Sequence, residues 1–170
     1  MKGKALVISA LLGYKNVNHA GGKINYYYLK KVEDVYDLTI MTRIRPGENE
    51  KIKDDGIKAD YIPVKYKNIF LDILGALYSL LTFNVYFFFC RYSFTFFAYR
   101  ELLKLKKSGY SPDIVFLDWT ECIFLIKKLR KLFPCATFSG CEQDVTFLSF
   151  SRKMEFFKGS KKLISYFEFV

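Results

Sequence analysis

Four acidic side chains follow the last two apolar runs of the sequence, and they are the groups best suited to acid–base chemistry. Asp118 and Glu121 come after one run, and Glu142 and Asp144 come after the next. Carboxylates at neighbouring strand ends can meet in one cleft, where they accept a proton or bind sugar hydroxyls. The alternative is that Asp118 and Asp144 cap helices, because aspartate is a preferred N-cap residue. Trp119, the only tryptophan, could be a stacking platform between these groups or a partly buried packing residue.

A glycine-containing loop near the N-terminus is the second candidate site. Gly21 and Gly22 precede a helical pattern, and the free amides and dipole of a helix N-terminus favour a phosphate. The loop matches neither the dinucleotide-binding fingerprint nor the P-loop pattern, so two glycines that only make a turn are the alternative. His19, the only histidine, lies in the same loop. It suits a base or a phosphate contact, or it is a solvent-exposed loop residue.

The cysteines, at positions 90, 122, 135 and 141, contain no C-x-x-C pair. Zinc sites need ligands that converge from short fixed spacings, and none is present, so the cysteines predict no metal site. No bound cofactor is expected either. The apolar stretch after Lys4 is too short for a secretory signal. Reduced thiols in the cytoplasm are the resulting expectation.

Alternating strand and helix patterns predict the elements that must position these residues. Apolar runs typical of buried parallel strands cover 5–9, 37–42, 61–65, 114–117 and 135–138. Helical spacing covers 22–34, 69–81, 94–107 and a stretch that Thr120 caps and Pro134 ends. This order predicts an α/β fold with a doubly wound, Rossmann-like parallel sheet. Ligands of such sheets bind outside the carboxyl ends of the strands, where the candidate loops fall.

The apolar stretch from Ile69 to Cys90 is long enough to cross a bilayer of ~30 Å as a helix. Asp72 and Asn84 lie within it and are costly in hydrocarbon, and Gly75 interrupts it. We therefore expect a buried or interfacial helix pair rather than a transmembrane helix.

The charge balance indicates an anionic partner. There are 27 Lys+Arg against 17 Asp+Glu, a net charge of +10, and 19% of residues are aromatic. This composition excludes disordered and collagen-like classes. The aromatics cluster in apolar runs, and no nucleic-acid reader motif is present, so an anionic membrane surface is favoured over nucleic acid. A merely solvated basic surface is the alternative.

Several stretches of the sequence form a recognisable series when they are taken in order. They are ALVIS (5–9) with HAGG (19–22) and the helix 23–31, YDLTIMT (36–42), LYSLLTFNVY (77–86), PDIVFLD (112–118), FSGCEQDV (138–145) and YFE (166–168). Their order and spacing, rather than any single motif, resemble the N-terminal domain of retaining GT-B glycosyltransferases of the "glycosyl transferases group 1" type, the bacterial polysaccharide-assembly enzymes.

The resemblance implies the N-terminal half of a two-domain GT-B enzyme. Residues 1–160 would form the acceptor-side domain, and 161–170 would begin the connection to an absent C-terminal donor-binding domain. Gly21 and Gly22 would approach the donor diphosphate or the transferred sugar. Glu142 and Asp144 fall where many members carry a histidine and then an aspartate in a catalytic loop, which implies catalytic roles for both, although Glu142 departs from the pattern. The paired glutamates of the second domain, spaced E-x₇-E, have no counterpart in the chain.

The activity implied is retaining sugar transfer from a nucleotide-diphosphate sugar without a metal ion. The acceptor would be lipid-linked or a polysaccharide, and the protein would be cytoplasmic and peripheral at the inner face of the cell membrane. Such a half should turn over poorly alone. A non-catalytic membrane-recruitment or binding subunit of a split glycosyltransferase is the alternative. A receiver-like regulator is disfavoured because the first strand ends in Ser9-Ala10-Leu11 rather than in acids.

Overall fold

The fold is organised around one parallel β-sheet in the computed structural model, which describes residues 2–18, 20–44, 47–48, 50, 57–65, 68–82 and 92–141. Its strands are β1 (Gly3–Ser9), β2 (Tyr36–Thr42), β3 (Ala59–Pro63), β4 (Ile114–Asp118) and β5 (Thr137–Cys141). Its helices are α1 (Ala20–Val35), α2 (Ile69–Thr82), α3 (Tyr92–Lys107), α4 (Thr120–Ile123) and α5 (Ile126–Leu132). Within the described residues the strand order is β3-β2-β1-β4-β5, and all pairs are parallel.

The central strand β1 is buried on both faces, as its continuous apolar sequence predicts. Ala5 and Val7 pack on one side against Tyr26, Leu29 and Val32 of α1. The alternate residues of β1 pack on the other side, in a core with α3, α4 and α5 that contains Leu6, Ile8, Phe94, Ala98, Leu102, Cys122, Leu125 and Leu129. Helices thus lie on both faces of the sheet. The predicted doubly wound, Rossmann-like α/β fold is confirmed.

The sheet reverses its direction of growth between β1 and β4. From β1 the chain adds β2 and β3 on one side, and later β4 and β5 on the other. Asp113 aligns the strands at the amino edge: its carboxylate accepts a hydrogen bond from the Lys4 amide at 2.7 Å, and its carbonyl accepts one from the Thr137 amide at 2.8 Å. The carboxyl ends of β1 and β4 consequently lie side by side at this reversal.

The helix predicted after Asp118 is two helices in the structure, and the prediction of one continuous helix is wrong. The amide of Leu125 bonds to the carbonyl of Cys122 at 3.0 Å, an i to i+3 bond that tightens the turn between α4 and α5. Cys122 and Leu125 both reach the core through this turn. The predicted capping is also wrong, because Trp119 is the N-cap residue of α4 and Thr120 is its first helical residue.

Other element boundaries shift by a few residues. The helix α1 begins at Ala20, so that Gly21 and Gly22 lie inside it. The last strand, β5, begins two residues later than predicted because the Ala136 amide closes a turn on the carbonyl of Phe133. The strand that contains Pro63, β3, lies at one end of the sheet order, where a residue without an amide hydrogen is tolerated.

The apolar stretch that starts at Ile69 forms α2 in its first part, and residues 83–91 lie outside the described part of the chain. Among the described residues, none of the helices combines the length and the apolar character needed to cross a membrane.

Truncation of one buried and one exposed leucine should distinguish the core residues of α3 from the surface residues of α2. Leu102 has 0% of its surface exposed, and Leu81 has 81% exposed. Leu102→Ala should lower the free energy of unfolding by about 2–5 kcal/mol because it leaves a cavity. Leu81→Ala should leave it nearly unchanged. Urea unfolding of both variants measures the difference, and equal effects would contradict the assignment of the core.

Candidate functional site

A row of polar residues ends the strands on the face that α1 covers. In register across the sheet lie Thr42 of β2, Ser9 of β1, Asp118 of β4 and Cys141 of β5. On this face the preceding alternate residues of β1, β2 and β4 are apolar, so the polar row begins only at the strand ends. The first three are buried, with at most 1% of their surface exposed, and Cys141 is exposed. The row crosses the sheet at the reversal between β1 and β4, which is where open α/β sheets bind ligands.

The central contact of this row joins β4 to α1. The Asn25 side-chain amide, from the second turn of α1, donates a hydrogen bond to Oδ2 of Asp118. The carboxylate atom Oδ1 of Asp118 and the amide oxygen of Asn25 are buried and have no hydrogen-bond partner among the described residues. Buried polar atoms are nearly always paired in native proteins, so this pair has acceptor capacity available for a ligand or water.

Gly13, in the loop after β1, lies directly against Asn25 and leaves room for it because glycine has no side chain. A Cβ placed on Gly13 would collide with Oδ1 of Asn25 and would lie 2.9 Å from the backbone nitrogen of Tyr26. The loop after β1 can therefore pack closely on α1 only with glycine at this position.

Burial governs the ionisation of the groups around Asp118. Loss of water raises the pKa of Asp118 to about 6, although the hydrogen bond from Asn25 favours the charged form. Cys141 is exposed as a residue, but partial loss of water around its thiol, and then the charge of Asp118, raise the pKa of that thiol. The same two causes, together with Cys141, raise the pKa of the Tyr28 hydroxyl on α1. A carboxyl group that titrates near neutrality can both accept and return a proton, as a general acid or base must.

Trp119 follows directly in a strained conformation. Its φ of 73° is the only positive value at a non-glycine residue in the described chain. Its amide donates to the carbonyl of Cys141 at 3.1 Å, which ties the end of β4 to β5. Strain of this kind persists where surrounding contacts impose it and occurs often at binding sites. The structure thus places Trp119 beside Asp118, as the sequence order requires, with its side chain half-buried.

Gly21 and Gly22 lie in the first turn of α1, at the same edge of the sheet. Gly22 is buried, and a Cβ on it would come within 2.8 Å of Cγ1 of Val17, so the glycine lets the preceding loop pack on the helix. A cavity of about 100 Å³ adjoins it, lined by Leu11, Leu12, Tyr14, Val17, Gly22, Arg43 and Glu48. Arg43, the residue after β2, brings a guanidinium group to this cavity.

Three predicted site residues, His19, Glu142 and Asp144, lie outside the described residues. The remaining four, Gly21, Gly22, Asp118 and Trp119, are all at the carboxyl edge of the sheet. The interpretation of Asp118 as a helix cap is not supported, because Asp118 ends β4 and bonds to Asn25.

Sequence reasoning missed Asn25, Tyr28 and Arg43. The signal for Asn25 was available: it is a polar residue within the apolar stripe of α1, next to Tyr26 and one turn before Leu29. A polar residue at such a position usually has a buried partner.

Comparisons with family models, with curated proteins and with solved structures return no match. The function is therefore inferred from the residues and geometry of the chain itself. Among the described residues, no group of three or more His, Cys, Asp or Glu is arranged to hold a metal ion.

A larger cavity lies at the opposite edge of the sheet. It has a volume of about 550 Å³ and opens at the amino ends of β1, β2 and β3, among Lys2, Lys4, Asp37, Lys58 and Asp60. We favour the carboxyl edge as the site because the reversal, the buried carboxyl group and the strained residue coincide there, whereas the larger cavity has only a mixed-charge lining.

Replacement of the buried carboxyl group should change how stability depends on pH. The pKa of Asp118 is higher in the folded chain than in the unfolded one, so the contribution of this carboxyl group to stability falls as the pH rises from about 4 to about 6. The free energy of unfolding lost through ionisation of Asp118 is roughly 3 kcal/mol. Asp118→Asn keeps an acceptor for Asn25 but cannot ionise. The variant should therefore gain stability relative to the wild type between about pH 4 and about pH 7.

Urea unfolding of both proteins at the two pH values measures this gain as a double difference, in which all other titrating groups cancel. An identical pH dependence of the two proteins would show that the Asp118 carboxyl group is not held in a buried environment.

Proposed function

We propose that the chain is the acceptor-side domain of a nucleotide-sugar-dependent, retaining glycosyltransferase of cell-surface polysaccharide or glycolipid synthesis. The observation that carries the proposal is the buried Asp118–Asn25 pair at the reversal of a Rossmann-like sheet. It offers two acceptor atoms with no partner among the described residues. Sugars present many hydroxyl donors in a small volume, and such an acceptor pair suits them. The resemblance of the sequence to group 1 glycosyltransferases supports the same class.

Asp118 and Trp119 form the sugar-facing part of the proposed site. Oδ1 of Asp118 would accept a hydrogen bond from a sugar hydroxyl, and the Trp119 indole would offer an apolar surface to the sugar ring. Because the pKa of Asp118 is about 6, this carboxyl group can also relay a proton at neutral pH. Asn25 orients the carboxyl group through its amide. Glu142 and Asp144, which follow β5 in sequence, are proposed to complete the acid–base set.

The phosphate-facing part of the proposed site lies at the start of α1. The helix dipole there favours a negative group near Gly21 and Gly22, with His19 preceding them in sequence. Arg43 lines the neighbouring cavity and supplies a fixed positive charge. Backbone amides and a cation of this kind can stabilise a leaving diphosphate as its charge develops. The mechanism proposed therefore needs no bound metal ion.

A second α/β unit that binds most of the donor is part of the proposal. Chemistry would take place in the cleft between this unit and the carboxyl edge of the sheet. The acceptor is proposed to be lipid-linked or a polysaccharide, because the resemblance points to polysaccharide assembly.

Saturation-transfer NMR with a panel of oligosaccharides and nucleotide sugars tests which edge of the sheet binds ligand. The chain should give saccharide signals, and Asp118→Asn should reduce them by about tenfold, since one lost charged hydrogen bond is worth about 1.5–3 kcal/mol. Asp60→Asn, the same change at the larger cavity of the opposite edge, should leave the signals unchanged. Loss of binding in Asp60→Asn and not in Asp118→Asn would contradict the proposal.

A turnover measurement tests whether the proposed activity requires the second α/β unit. The 170-residue chain alone should bind nucleotide sugars weakly and release little nucleotide diphosphate from them, because half of the proposed cleft is supplied elsewhere. A coupled assay for nucleotide diphosphate, run with and without a lipid or polysaccharide acceptor, measures this. Transfer by the chain alone at an ordinary enzymatic rate would refute the two-unit proposal.

A further inference from the structure

The helix α2 presents a continuous apolar face to solvent. Its large apolar side chains recur every three or four residues and therefore share one side of the helix. Between 43% and 81% of the surface of each is exposed. They are Ile69, Phe70, Ile73, Leu74, Leu77, Tyr78 and Leu81. Monomeric proteins rarely expose a contiguous apolar patch of this kind unless it binds something.

The opposite side of α2 includes Asp72 and Gly75, and it faces the protein. A Cβ on Gly75 would lie 2.5 Å from Cβ of Tyr92, so α2 and α3 are in close contact there. One turn earlier, Oδ1 of Asp72 accepts a hydrogen bond from the Ser93 amide at 3.0 Å, in the first turn of α3. These contacts fix the orientation of α2. The seven exposed apolar residues therefore point outward, which is the reverse of an ordinary surface helix.

Cations lie on the segment before α2 and on α3, the helix that contacts α2. Lys65, just before α2, is exposed and lies with its Nζ 5.8 Å from the centroid of the Phe97 ring on α3. On α3 itself the exposed residues Phe96 and Arg100 are four positions apart, so that an aromatic residue and a cation share one stripe. Asp72, the acid of α2, is turned toward α3 as described above. Apolar and aromatic groups with flanking cations match the acyl chains and headgroups of an anionic leaflet.

We propose that the apolar face of α2 docks into the surface of an anionic lipid bilayer. The net charge of +10 distinguishes this occupant from a second copy of the chain, since it attracts the protein to an anionic leaflet and repels an identical molecule. The 14 residues of α2 measure about 21 Å, less than the ~30 Å of a hydrocarbon core. The helix therefore lies in the membrane plane, with Lys65 and Arg100 at the level of the headgroups.

Vesicle flotation of the 170-residue chain tests the proposal, with phosphatidylcholine vesicles that contain or lack phosphatidylglycerol. The chain should float with the anionic vesicles at low salt, and binding should weaken as salt screens the headgroup charge. The double variant Ile73→Ser/Leu77→Ser should lower the partition coefficient at least about tenfold. Both side chains are about half exposed, so the substitutions remove little from the protein core.

A matched control removes two equally exposed apolar residues elsewhere. Ile24 and Val35 of α1 are 60% and 59% exposed, and Ile24→Ser/Val35→Ser should bind vesicles like the wild type. Circular dichroism confirms that each variant is folded. The proposal is overturned if the wild type does not float with anionic vesicles or if both double variants lose binding equally. It is also overturned if light scattering shows a wild-type dimer that Ile73→Ser/Leu77→Ser dissociates, because a second copy would then occupy the face.

Discussion

The burial of β1 on both faces is the constraint on which the rest of the fold depends. Four consecutive side chains, Ala5 to Ile8, have no exposed surface. A strand of this kind must be covered twice, so α1 packs on one face and α3, α4 and α5 pack on the other. The need to cover both faces makes the chain return to β1 from opposite sides, which creates the reversal between β1 and β4. The candidate site is a consequence of that reversal.

The contacts that assemble the site join residues that are far apart in sequence, and the site includes a group that is costly to bury. Asn25 and Asp118 are 93 residues apart in sequence and meet only when α1 and β4 are both in place on the sheet. A buried carboxyl group with one hydrogen bond opposes folding at neutral pH, because its ionisation is costly away from water. The surrounding apolar packing must offset this cost. An asparagine at position 118 would satisfy the same contact without this cost, so stability alone does not explain the carboxyl group.

The spacing of apolar residues and the residue types were sufficient to predict the strands, the helices that cover them and the doubly wound order. Buried parallel strands and amphipathic helices leave strong local patterns of this kind. Local signals did not predict the break between α4 and α5, since the tightened turn depends on how Cys122 and Leu125 meet the sheet. Asp118 was identified from its place after an apolar run. Its partner Asn25 was not, because register and helix rotation, which a sequence does not state, decide which side chains meet.

The position of Trp119 has an optical consequence. It is the only tryptophan in the chain, and it adjoins the buried carboxyl group at the carboxyl edge of the sheet. Indole emission depends on local polarity and on nearby quenching groups, and excitation at the red edge of the absorption band avoids tyrosine. The intrinsic fluorescence of the whole protein therefore originates at the candidate site. Arrival of a ligand or ionisation of Asp118 can be followed there in the unmodified chain, without a label.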